Sequence, residues 1–171
     1  AKMMAKYGTK MTTYADGGSS DPNDAWINKI LDYEYEFGSP TGTGLSDWGY
    51  HTRAPKTKEE AIKYFKQDYL PKVDYLPQEL KGRAADWLFN TGKDPRIPLL
   101  LAAGKIKSNA FGPAAERIEL AQDPELLNET WNKYADEIGK KAKDPAFLKK
   151  FDTARKAVSY THLRAHETKA N

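Results

Sequence analysis

Two glutamates near the end of an amphipathic stripe are the first candidates for chemistry. Trp26, Ile27, Ile30 and Leu31 recur at the three- and four-residue spacing of one helix face. Glu34 lies seven residues after Ile27 and four after Ile30, so it projects from the same stripe. Glu36 falls on the opposite side if the helix continues. A carboxyl on a buried face near a helix C-terminus is favoured in its protonated form by desolvation and by the negative end of the helix dipole. Such a carboxyl can donate a proton near neutral pH as a general acid. The alternative is a half-exposed Glu34 paired with a lysine or arginine. The histidines offer less. His51 has no evident partner, so it reads as structural rather than as an acid/base group or a ligand. His162 and His166 sit at i,i+4, a spacing that could hold a metal on a helix. The chain has no cysteine, which excludes disulfides, Cys-ligated zinc, iron–sulfur clusters and thiol catalysis.

The elements that must position these groups are mostly helices. Asp-Pro recurs as an opener, because Asp can cap the first free N–H groups and Pro fits the first helical position. Asp21-Pro22 predicts a helix to Tyr35, and Thr57 with Glu60 forms a capping box that opens one to Tyr69. Leu76-Pro77 opens a helix to Asn90, stopped by Gly92, and Asp94-Pro95 opens a short apolar one ending at Gly104. Pro113, Asp123-Pro124 and Asp144-Pro145 open three more. Leu126, Leu127, Trp131, Tyr134 and Ile138 form the packing face of one of these, and Phe147, Leu148 and Phe151 that of the last. The exception is 38–55, GSPTGTGLSDWGYHTRAP, whose Gly, Thr, Ser and Pro suit turns and a small hairpin. The fold class expected is therefore α+β, mostly helical, with a small β-hairpin insert after the first core helix.

Composition narrows the classes. At 171 residues the chain has the length of one domain with tails. Its mean hydropathy is −0.79, and its longest apolar stretch, Leu99 to Ala103, is far short of the ~20 residues of a membrane span. Residues 1–20 contain lysines but no apolar core of a signal peptide, and read as a loosely ordered tail or a docking peptide. The net charge of +3 is too small to argue for nucleic acid, but is compatible with an anionic polymer such as a cell wall. The expected organisation is a tail over 1–20, a domain over 21–157 and a second tail over 158–171.

Several motifs together resemble one enzyme superfamily. Ile30-Leu31-x-x-Glu34, a Gly/Thr-rich insert with Ser46-Asp47-Trp48-Gly49, then Gln67-Asp68-Tyr69-Leu70, Leu76-Pro77 and Asp86-Trp87-Leu88-Phe89-Asn90-Thr91-Gly92 follow in order. This series is similar to the lysozyme-like superfamily, closest to phage-type muramidases of glycoside hydrolase family 108, across residues 24–104. In that family a catalytic Glu ends a helix, a Thr-Asn-aromatic-Gly stretch follows, and a Leu-Pro leads to Asp-Phe-x-x-Asn-Ser-Gly. The resemblance implies a lysozyme-like fold and cleavage of the β-1,4 link between N-acetylmuramic acid and N-acetylglucosamine in peptidoglycan. Glu34 would be the general acid. Asp47 would act as base or water-holder, with Ser46 beside it, although Asp47 reads equally as a turn cap. Thr43 and Ser39 are weaker alternatives. Trp48, Tyr50 and Trp87 would stack on sugar faces or sit in the core. Trp48 and Tyr50 would point to opposite faces if their segment is a strand. Asn90 would bond the cleft wall or backbone groups, and Asp86, one turn earlier, reads as structural.

The family's Glu is followed by Gly-Gly, whereas Glu34 is followed by Tyr35-Glu36-Phe37-Gly38. Glu36 is therefore a rival catalytic position. Glu34 is preferred because Ile30 and Leu31 precede it by four and three, as the family's apolar residues do. From Lys105 on, the chain matches no recognisable wall-binding module. The partner implied is the peptidoglycan glycan strand, attacked by a monomer without metal or organic cofactor. The setting implied is a bacteriophage lysin made in the host cytoplasm and released by a holin or carried in a virion. Alternatives are a lytic transglycosylase, a chitinase-like enzyme, or a catalytically inactive wall-binding or virion structural module. Finally, Ser159 to Thr168 (SYTHLRAHET) resembles the translated read-through of a sequencing adapter. That resemblance implies a metagenomic source and a natural sequence that stops near Val158, which would remove His162 and His166 from consideration.

Overall fold

The computed structural model describes residues 21–37, 48–50, 53–107 and 115–169, and side chains over 21–36, 48–50, 53–107 and 119–157. Residues 1–20, 38–47, 51–52, 108–114 and 170–171 lie outside that description, and with them the expected N-terminal tail and most of the expected insert. The chain divides into two compact units, Ala1–Tyr75 and Leu76–Asn171.

The first unit holds α1 (Pro22–Phe37), α2 (Lys58–Asp68) and a 3-10 turn, Leu70–Lys72. The Asp21 side chain accepts the Asn23 N–H at 2.9 Å, and its carbonyl accepts the Asp24 N–H at 3.1 Å, so two of the orphan donors at the start of α1 are satisfied. Lys66 on α2 reaches back to Asp21 at 3.1 Å and to Asp24 at 2.5 Å, tying the helices together at that end. The α1 stripe Trp26, Ile27, Ile30 and Leu31 is fully buried, as are Ala61 and Phe65 on α2. Trp26 meets Phe65 edge-on at 5.9 Å. The capping box at α2 is present in a modified form. Thr57 Oγ1 accepts the Glu60 N–H at 3.2 Å, while the Glu60 carboxylate accepts from Lys56 N–H, at 2.7 Å, one residue upstream of the cap.

The second unit holds α3 (Gln78–Thr91), α4 (Arg96–Ala102), α5 (Ala115–Gln122), α6 (Pro124–Lys141) and α7 (Pro145–Lys169). The short apolar α4 is its centre: Ile97, Leu99 and Leu100 are buried, and α5, α6 and α7 all pack against it. Trp131 and Ile138 of α6 and Phe147 and Phe151 of α7 are buried as well. Asp94, Asp123 and Asp144 each accept a backbone N–H from the residue two or three ahead, so all three Asp-Pro pairs cap as their spacing predicts. Gly92 ends α3 with φ 69°, its N–H on the Leu88 carbonyl at 2.7 Å. That left-handed conformation costs a residue with a Cβ roughly 1–2 kcal/mol. The backbone of α7 continues helically through the adapter-like stretch. No helix among the described residues is long and apolar enough to cross a membrane.

The structure corrects the expected α+β class. The mostly helical reading stands, but no strand occurs among the described residues, and the β-hairpin insert is unsupported. Trp48 and Gly49 form a turn, and residues 53–57 are bends and coil. The physical reason lies in how this segment meets α2. Tyr50 packs its ring on Tyr64 and Tyr69, at centroid distances of 6.0 and 6.1 Å. The Arg53 guanidinium lies 3.8 Å over the Tyr64 ring, forks onto both Asp68 oxygens at 3.1 and 3.2 Å, and donates to Gln67 at 2.7 Å. Side-chain anchors on a helix hold the segment where a ladder between strands was expected. Gly, Ser, Thr and Pro enrichment marks a departure from helix without choosing between hairpin and anchored coil.

Candidate functional site

The described part of the candidate site is built where α1 ends. Glu34 is half-buried in the last turn of α1, and Glu36 is exposed. Between them Tyr35 turns its ring to Trp48, with centroids 5.0 Å apart and planes inclined by 30°. Trp48 is half-buried and carries φ 54°, followed by Gly49 at φ 86°. A positive φ is ordinary for glycine and costly for an aromatic residue, of order 1–3 kcal/mol, so the surroundings hold Trp48 in place. Two of the separate sequence signals, the acidic end of the helix and the Trp48-Gly49 motif, are thus brought together. Ser46 and Asp47, and the weaker alternatives Ser39 and Thr43, lie outside the described residues, as does His51. The side chains of His162 and His166 lie outside them too.

Tyr50 takes a different place from Trp48. It is 7 % exposed and belongs to the ring cluster on α2, where Phe65 and Tyr69 also meet at 5.0 Å. Burial pushes its phenol far above the usual tyrosine value; the charges of Tyr69 and Asp68 add to this, and Arg53 opposes it. Tyr69 is raised as well, by burial first and then by Asp68. Tyr64 is raised chiefly because it donates its hydroxyl to Glu60, at 2.8 Å. This is a packed aromatic layer with its phenols held neutral, and it anchors the segment that carries Trp48.

Trp87 and Asn90 are on α3, in the second unit. Trp87 is 5 % exposed and is part of the core there. Asn90 is exposed and turns its amide back onto its own helix, donating to the Asp86 carbonyl at 2.8 Å. Asp86 is 1 % exposed. Arg155 of α7 comes within 4.0 Å of its carboxylate, and also donates to the Arg83 carbonyl at 3.0 Å and to Asp152 at 2.5 Å. Arg83 lies 3.4 Å from the same Asp152 oxygen. Two arginines and two aspartates thus form a largely buried cluster joining α3 to α7.

No family model, curated protein or solved structure matches the chain.

The second unit also has an open cavity of about 370 Å³ between α5, α6 and the Lys105–Ile106 turn. Its lining includes Leu120, Leu126, Thr130, Lys133 and Tyr134. Lys105 there is bonded to Glu137 at 2.7 Å and lies 5.0 Å over Tyr134. Its volume is of ligand size, and Glu119, Glu129 and Lys105 line it as well. The sequence motifs, by contrast, point to the end of α1. Among the described residues no three His, Cys, Asp or Glu side chains are grouped to hold a metal ion.

Sequence reasoning did not find Tyr35, although it sits between the two rival glutamates. Its ring exposure and partner are tertiary facts. Nor did it find Arg53 or Arg155, because an arginine that will fork onto a carboxylate looks like any other until its partner is known. The Asp86–Arg155 approach joins residues 69 positions apart, beyond any local pattern.

Proposed function

We propose that this chain is a glycoside hydrolase of the N-acetylmuramidase kind, acting on the glycan strand of peptidoglycan. The observation that carries the reading is the 5.0 Å contact between Tyr35 and Trp48. It sets Trp48 against the residue next to Glu34, which supports reading the two as parts of one muramidase-like site. In this reading Glu34 protonates the glycosidic oxygen as the bond to the sugar's anomeric carbon breaks. Asp47, with Ser46, orients the water that attacks that carbon or supports its developing positive charge. No metal or organic cofactor enters. The biological setting is a phage lysin that reaches the wall by holin release or virion delivery.

A second reading is favoured by the exposure of Tyr35 and Glu36, which equally suit a module that binds wall glycan without cutting it. Lytic transglycosylase action differs by ending in an anhydro sugar instead of adding water. Mass spectrometry of purified peptidoglycan after digestion tests all three. Muramidase action gives fragments with reducing N-acetylmuramic acid ends, each cut adding one water. Anhydro ends would replace hydrolase by transglycosylase, and intact strands that pellet with the protein would leave only the binding module.

A further inference from the structure

We infer that the outward face of Tyr35 is the surface on which one pyranose ring of the glycan stacks, and that Trp48 is the positioning residue that backs it. This rests on the glycan-directed reading above. Tyr35 is 49 % exposed although the Trp48 indole lies 5.0 Å from it at a 30° inclination. A ring covered on one side and still half-exposed presents its other side and its edge to solvent. Trp48 cannot offer the same surface, because it is half-buried and turned toward Tyr35. Its φ of 54° lies in the left-handed region, a conformation that its surroundings must hold in place.

The chemistry of the surface fits a sugar. The C–H face of a pyranose is weakly positive and apolar, and it complements the negative face of an aromatic ring. Glu34 and Glu36 flank Tyr35 in sequence on the last turn of α1 and offer carboxylate oxygens to hydroxyl donors. An alkylammonium group is the other candidate for a tyrosine beside carboxylates, but such cations are held in cages whose walls face one another. Here the second ring lies against the first, so only one wall is open.

The test measures binding of stem-free peptidoglycan glycan strands by calorimetry, in a Glu34→Gln background so that the probe is not consumed, with circular dichroism confirming the fold of each variant. Tyr35→Phe is expected to bind within about twofold, because the ring remains. Tyr35→Ala is expected to lose about three- to tenfold. Trp48→Ala is expected to lose a similar factor and Trp48→Phe to recover most of it. The double alanine variant should bind no more weakly than Tyr35→Ala alone, since Trp48 acts through Tyr35. Unchanged binding by Tyr35→Ala, additive losses in the double variant, displacement of the glycan by tetramethylammonium, or no binding at all would each overturn the platform. Wall clearing by the unmodified chain is measured separately. Clearing with Tyr35-independent binding sinks the platform and leaves the hydrolase reading. Tyr35-dependent binding without clearing does the reverse.

Discussion

Arg155 shows what single residues do in this molecule. It is 6 % exposed, and its guanidinium is shared among Asp86, Asp152 and the Arg83 carbonyl. Removing one partner of a buried ion pair leaves a charge with neither water nor counter-ion. Arg155→Leu is therefore expected to lower unfolding free energy by about 3–5 kcal/mol, read from urea denaturation. Adding Asp86→Asn should recover part of that loss; a double variant no more stable than the single one would show that Asp86 is not the stranded charge. At the same scale, Glu34, Tyr35 and Glu36 are consecutive residues with three different environments: half-buried, ring-stacked and exposed. Their order along the chain was legible, and so was the burial of Trp26, Ile27, Ile30 and Leu31, because helical periodicity is local. The ring that Tyr35 meets was not, because nothing in the spacing of residues 35 and 48 encodes a turn with positive φ at tryptophan.

Among the elements, the helices were the readable part. Asp-Pro openers, the Thr57 cap and Gly92 all act within a few residues, so their sequence signals and their physical effects coincide. Residues 48–50 and 53–57 are turn, bends and coil in place of the expected hairpin, and their anchors are distant in sequence. Tyr50 and Arg53 take partners 14 or more residues away on or beside α2, and that pairing depends on where α2 lies. The aromatic layer on α2 predicts an alkaline response. Tyr50 and Tyr69 are raised in the folded state above the unfolded value near 10. A raised acid favours the folded state while it stays neutral, so this contribution is complete below pH about 10 and is lost as the pH climbs beyond it. Phenolate absorbance followed together with far-ultraviolet circular dichroism should show some tyrosines ionising only as helix is lost. Tyr50→Phe should move the alkaline unfolding midpoint upward and remove one tyrosine from the late step. Ionisation of every tyrosine near pH 10 with helicity intact would contradict the buried placement of Tyr50.

The molecule as a whole is a mostly helical chain in two compact units, with a carboxyl and an aromatic pair at the end of the first helix. We propose that Glu34, and not Glu36, delivers the proton. Glu34 is half-buried, between the buried general acid and the half-exposed alternative that the sequence offers, while Glu36 is exposed. The measurement that tests this most directly is turbidity clearing of purified peptidoglycan by the unmodified chain, Glu34→Gln and Glu36→Gln side by side, each shown to be folded. Glu34→Gln is expected to lose about 10²–10⁴-fold of the clearing rate, while Glu36→Gln stays within severalfold of the unmodified chain. Clearing by Glu34→Gln at the unmodified rate, or no clearing by the folded unmodified chain on walls from several bacteria, would contradict it.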